Sequence, residues 1–174
     1  MNKNFNQRRP TMKASTLLNL IFSTIIASTI SFTVNAAGTV EFSNKAEVEV
    51  IMMKDGKKEI KRIPAKKVAP DGEVIYTTTF KNTIDKTISN IVVTNPIPAN
   101  MAYVNDSASG ANTVITYSID GGKSYDDSAK LIIKTTDGKV RPAQSADFSH
   151  IRWVYKGDLA TGKSSEVGFR AKVK

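Results

Sequence analysis

The chain contains no cysteine. That excludes a thiol nucleophile, a cysteine zinc site and a lipid-attachment cysteine; since an oxidising compartment permits disulfides without requiring them, it says little about location. Histidine is scarce as well. His150 is the single one in 174 residues, too few for a histidine-rich metal centre. Missing too is any convincing window of apolar residues at helical spacing between capping residues, and there is no internal repeat or low-complexity linker.

Acidic residues are absent from the first 36 positions, where Lys3, Arg8, Arg9 and Lys13 precede a mostly apolar stretch over 16–34 and the small residues of "VNAAG". This is the pattern of a secretory signal peptide cleaved after Ala36 or Ala37, with Met12 able to open a complete signal by itself. The Arg8-Arg9 pair invites a twin-arginine reading, but Pro10, Thr11 and Met12 follow where apolar bulk is usual. An uncleaved anchor is the alternative, weakened by Asn19, Ser23, Thr24, Ser28, Thr29 and Ser31 within the apolar stretch. Removing 36 of the 174 residues leaves 138, the size of one domain with one core, over 37–174. The expected location is exported: periplasm, cell surface or extracellular.

The net charge of +9 falls to +5 without the leader, 21 Lys and Arg facing 16 acids. The excess is local. Residues 54–67, "KDGKKEIKRIPAKK", hold Lys54, Lys57, Lys58, Lys61, Arg62, Lys66 and Lys67 against Asp55 and Glu59. A hairpin about Asp55-Gly56 presents Lys54, Lys57, Lys58, Lys61 and Arg62 to solvent, either as lysines that discourage strand pairing at an edge or, with Lys66 and Lys67, as a contact surface for anionic lipid or acidic polysaccharide. Nucleic acid is not the expected partner, because an exported chain does not usually meet it and the segment has no aromatic residue to stack on bases.

Period-two alternation runs through the rest. "SEVGFRAKVK" sets Val167, Phe169, Ala171 and Val173 against Glu166, Gly168, Arg170 and Lys172; "IRWVYKG" sets Ile151, Trp153 and Tyr155 against Arg152 and Val154. "EVIYTTTFKN" puts Val74, Tyr76 and Phe80 on one face with Thr78 as a polar exception, and "VEVIMM", "TVITYSID" and "KLIIKTT" read as further strands. Asp55-Gly56, Asp71-Gly72, Asp120-Gly121 and Asp137-Gly138 mark turns. Residues 134–150 read as one long irregular connection. The fold class is all-β: an antiparallel β-sandwich of about seven or more strands.

In "NIVVTNPIPANMAY" the run Ile91–Thr94 meets Pro96 and Pro98. Proline donates nothing to a ladder and extends the residue before it, so pairing is predicted to finish near Thr94, with Ile97 delivered to the core between two fixed φ angles.

"APDGEVIYTTTFKNT" at 69–83, "ISNIVVTNPIPANMAYVNDSAS" at 88–109, "YSIDGGKSY" at 117–125 and "IRWVYKGDLATGKSSEVGFRAKV" at 151–173 occur in the order of the DUF11 conserved-repeat family. The chain resembles that family over 69–173 in a single copy. The resemblance implies an immunoglobulin-like β-sandwich of bacterial surface or exported proteins, with no enzymatic activity and no cofactor. Asn95 stands where the family more usually has Asp, which removes a charge-dependent role there; its carbonyl is expected to accept a backbone N–H across the corner. The architectural residues are expected to be Tyr76, Phe80, Ile91, Val93, Asn95, Pro96, Pro98, Tyr103, Trp153 and Phe169.

Three motifs suggest chemistry and are read as architecture. Gly157–Ser164, "GDLATGKS", fits a phosphate loop, but the pattern needs a helix after it and an alternating strand follows, so no nucleotide is expected. "SIDGGKSYDD" gathers Asp120, Asp126 and Asp127 without the spacing of a calcium loop. His150, Asp147 and a serine lack a nucleophile elbow. The expected function is a non-enzymatic exported envelope protein, structural or adhesive, with other envelope proteins or further copies as partners. The alternative is a binding module that uses the basic hairpin.

Overall fold

The computed structural model describes residues 40–174. The expected leader and its expected cleavage point lie outside them. Among the described residues eleven strands form in chain order: β1 (Val40–Lys54), β2 (Lys57–Pro64), β3 (Glu73–Asn82), β4 (Val92–Pro96), β5 (Met101–Tyr103), β6 (Ser109–Gly110), β7 (Thr113–Ser118), β8 (Ile132–Lys134), β9 (Val140–Pro142), β10 (His150–Tyr155) and β11 (Ser164–Val173). Among the described residues there is no α-helix, only two short 3-10 turns at Ser128–Lys130 and Ser145–Asp147. Every strand pair is antiparallel.

One sheet runs β2-β1-β3-β11-β5 with β6 also on β11; a second runs β4-β10-β7; β8 and β9 form a separate hairpin. Period-two burial follows the alternation in the sequence. Val167, Phe169 and Ala171 of β11 are buried while Glu166, Arg170 and Lys172 point away, and Ile151, Trp153 and Tyr155 do the same on β10. The apolar faces of both sheets supply one core cluster: Trp153 lies 6.3 Å from Phe169, Phe80 5.4 Å from Tyr155 and Tyr103 5.7 Å from Tyr117, ring centre to ring centre. Such aromatic contacts between sheets contribute about 0.5–1.5 kcal/mol each beyond the area they bury.

Three expectations need correction. Pairing in β4 does not finish near Thr94 but continues to Pro96, which is opposite His150. The reason is register. Ile97 N–H donates to Ser149 C=O at 2.8 Å, so by the two-residue repeat of the ladder the nitrogen of Pro96 faces the open edge, where a missing N–H costs no bond. Ile97 itself is buried, as the double proline predicts. Among the described residues no backbone N–H donates to the Asn95 side-chain carbonyl across the corner; its amide Nδ2 donates to Thr78 Oγ1 at 2.8 Å. Residues 134–150 are not one irregular connection. Asp137-Gly138, with φ +81° at the glycine, turns β8 back as β9, and Arg141 then grips Asp147 with two bonds of 2.6 and 2.8 Å.

Candidate functional site

β1 changes partner along its length. Val40–Glu47 pair with β3, whereas Glu47–Lys54 pair with β2, and the register from Glu47↔Pro64 to Lys54↔Lys57 closes on Asp55 (φ +49°) and Gly56 (φ +74°). Two residues at positive φ match the right-handed twist of a tight hairpin, and Asp-Gly adopts this conformation at small cost. The seven residues of β1 beyond Glu47 carry the ribbon about 24 Å past the last pair with β3, at ~3.4 Å per residue.

The register sorts the ribbon into two faces. One carries Glu49 opposite Arg62, Ile51 opposite Ile60, and Met53 opposite Lys58; the other carries Val48 opposite Ile63, Val50 opposite Lys61, Met52 opposite Glu59, and Lys54 opposite Lys57. Lys54, Lys57, Lys58, Lys61, Arg62, Lys66 and Lys67 are all exposed, as the sequence predicts. Arg62 differs from the rest because it is paired: its Nε lies 3.3 Å from Glu49 Oε1. Among the described residues none makes a salt bridge to the six lysines.

What the charge reading of this segment missed is its apolar content. Ile51 and Ile60 are 68% exposed and Met53 is 65% exposed, side by side on the face that also carries Lys58. The signal was present in "VEVIMM" and in Ile60, but alternation alone cannot say that the face has no cover.

The root of the ribbon is fixed by charge. Arg170 on β11 reaches Glu49 at 3.0 Å and Glu73 at 2.7 Å, tying β1, β3 and β11 together. The Arg170 guanidinium, helped by Arg62, holds the Glu49 carboxyl below its ordinary range. Beside it, on the sheet face away from the core, an open trough of about 630 Å³ runs over Ile75, Thr77 and Gly168. Its arginines, Arg62 and Arg170, are the ones already paired with carboxylates.

The other motifs resolve into structural tasks. In Gly157–Ser164, Gly162 N–H donates to Asn82 C=O, Lys163 N–H to Ala160 C=O, and Ser164 opens β11 rather than a helix. Fully buried Asn82 fastens the same loop, donating to Lys86 C=O at 2.7 Å and Leu159 C=O at 2.8 Å. Asp120 accepts from the hydroxyls of Ser118 and Ser124 and the amides of Lys123 and Ser124, which together hold it far below the carboxylate range. Asp126 pairs with Lys130, and Asp127 caps a 3-10 turn, so the three carboxylates do not converge. Asp147 is occupied by Arg141, while His150 Nδ1 lies 3.2 Å from Ser149 Oγ.

Of the expected architectural residues, Phe80, Ile91, Val93, Tyr103, Trp153 and Phe169 are buried; Tyr76 is half-buried and stacks on Phe169 at 4.9 Å; Asn95 and Pro98 are half-buried; Pro96 is exposed. Among the described residues no helix is long and apolar enough to cross a membrane, and no group of three or more His, Asp or Glu is placed to hold a metal. No protein-family model matches the chain, and no curated protein matches it.

Proposed function

We propose that this chain is a non-enzymatic exported protein of the bacterial envelope, an immunoglobulin-like β-sandwich of DUF11 type that works by contact, with the β1–β2 ribbon as its contact element. The observation that carries this reading is the contrast between core and ribbon. Two antiparallel sheets share one aromatic-rich core, and the carboxylates of the suggestive motifs are bound by neighbouring hydroxyls, amides and arginines. The ribbon, by contrast, leaves that core and offers lysines that have no salt-bridge partner among the described residues, beside bare apolar side chains. The motif order over 69–173 and the leader pattern support the family and the exported location.

The test is photo-crosslinking in the producing cell from a photoreactive residue in place of Lys58, followed by fractionation. The expected result is a leader-free chain in the envelope fraction, joined to envelope components. A chain that keeps its leader in the cytosol, or one joined to nothing, overturns the reading.

A further inference from the structure

We infer that the β1–β2 ribbon docks on a lipid bilayer with anionic headgroups; the inference rests on the contact role proposed for the ribbon and names its partner. Three properties have to be met together. The ribbon stands about 24 Å clear of its last pair with β3 at ~3.4 Å per residue, so its outer half can approach a broad surface. Over 48–63 it bears Lys54, Lys57, Lys58, Lys61 and Arg62 against Glu49, Asp55 and Glu59, an excess of two positive charges, and Lys66 and Lys67 follow at its base. On one face it sets Ile51, Ile60 and Met53 in contact distance of one another across the ladder, each about two-thirds exposed.

Charge decides between the occupants. A second ribbon would offer the same apolar triad but bring two ribbons of +2 together, their lysine-bearing tips included, and like charges oppose that contact. An acidic polysaccharide satisfies the lysines and leaves the triad in water. An anionic bilayer satisfies both: the triad enters the acyl boundary, while Lys58 beside it and Lys54, Lys57 and Lys61 on the reverse face keep their ammonium groups at headgroup phosphates on long apolar stems. The ribbon thus divides its work. The cations give attraction that salt screens, and the triad gives attraction that salt does not.

The test uses the full chain in co-sedimentation with vesicles of phosphatidylglycerol and phosphatidylcholine, against pure phosphatidylcholine vesicles and dextran sulfate. The 16–34 segment is common to every variant, so the reading rests on differences between variants. The Ile51→Ser, Met53→Ser, Ile60→Ser variant is expected to lose partitioning to the anionic vesicles by about 100-fold. Lys58→Gln with Lys61→Gln is expected to lose about 10-fold at low salt and little at about 0.5 M salt. The Trp153 emission of each variant checks that the core is intact. Because the chain has no cysteine, Met53→Cys carries a single environment-sensitive fluorophore even if the triple variant fails to fold. Its emission should shift to the blue on anionic vesicles and stay unchanged on dextran sulfate.

Undiminished vesicle binding by the triple variant overturns the inference, as does an unshifted fluorophore. Loss of a lipid-free oligomer in the triple variant, with vesicle binding unchanged, assigns the face to a second copy and overturns it too. Crosslinks from position 58 to envelope proteins alone would leave the contact role standing and remove the lipid.

Discussion

Thr78 is a buried hydroxyl on the apolar face of β3, and its position is explained by two partners. It donates to Asn44 Oδ1 at 2.7 Å on β1 and accepts from Asn95 Nδ2 at 2.8 Å on β4, so one oxygen links both sheets. Thr78→Val keeps the shape and deletes both bonds, leaving two amide groups without that partner. Asn44 is exposed and turns to water, so the expected loss is about 1–2 kcal/mol, mostly from the half-buried Asn95 amide, read from urea denaturation followed by Trp153 emission. Asn95→Asp should also destabilise, because a carboxylate has no proton to give Thr78 at neutral pH. Asp147 supplies a pH test. Hydrogen bonds from Arg141 lower its pKa from 3.8 to about 2, so its contribution is complete above the ordinary carboxylate value and is lost as pH falls toward about 2. Asp147→Asn should therefore lower the urea midpoint at neutral pH, and the gap to the parent should close as pH falls through that window. Thr78 was legible in the sequence only as an exception to alternation. Its partners were not, because Asn44 and Asn95 are 34 and 17 residues away and only sheet packing brings them to it.

The β1–β2 ribbon is the element whose stability is least supported by the core. A two-stranded ribbon alone is marginal in water, and this one has the Glu49–Arg170–Glu73 network only at its root. Amide hydrogens of Val50, Ile51, Ile60 and Lys61 should exchange well before those of Thr78, Trp153 and Phe169. Gly56→Ala should widen that difference. The glycine sits at φ +74°, where a Cβ has space but costs roughly 1 kcal/mol in backbone preference, so exchange over 48–63 should rise about fivefold with the global urea midpoint unchanged. The turn was readable from Asp55-Gly56, since the dipeptide itself favours the conformation. The correction at Pro96 had the opposite origin. A proline on a strand is read as a stop, but whether its nitrogen faces a partner or an edge depends on strand order.

At the scale of the whole molecule, the last strand is an inner one. β11 pairs with β3 on one side and with β5 and β6 on the other, and supplies Val167, Phe169 and Ala171 to the core. Ending the chain at Lys163 should abolish the folded state rather than trim it, seen as loss of β signal in circular dichroism and a red-shifted Trp153 emission. Persistence of a cooperative unfolding transition in that truncated chain would refute the placement of β11. Pairing of this range, with Met101 opposite Val173 and Val40 opposite Asn82, makes folding depend on closing long loops, which is slow compared with helical chains.

The sequence by itself determined the all-β class, the alternating faces of β3, β10 and β11, the Asp55-Gly56 turn and the concentration of charge over 54–67. Each is a local property: side chains of a strand alternate, and Asp-Gly tolerates positive φ wherever it occurs. Only the tertiary structure decided that Ile51, Met53 and Ile60 lie on the ribbon face turned away from the core, where they stay bare, and that Thr78 finds partners on two other strands. Cover and coordination depend on what comes close through space, and residues far apart in the chain carry no local mark of that nearness.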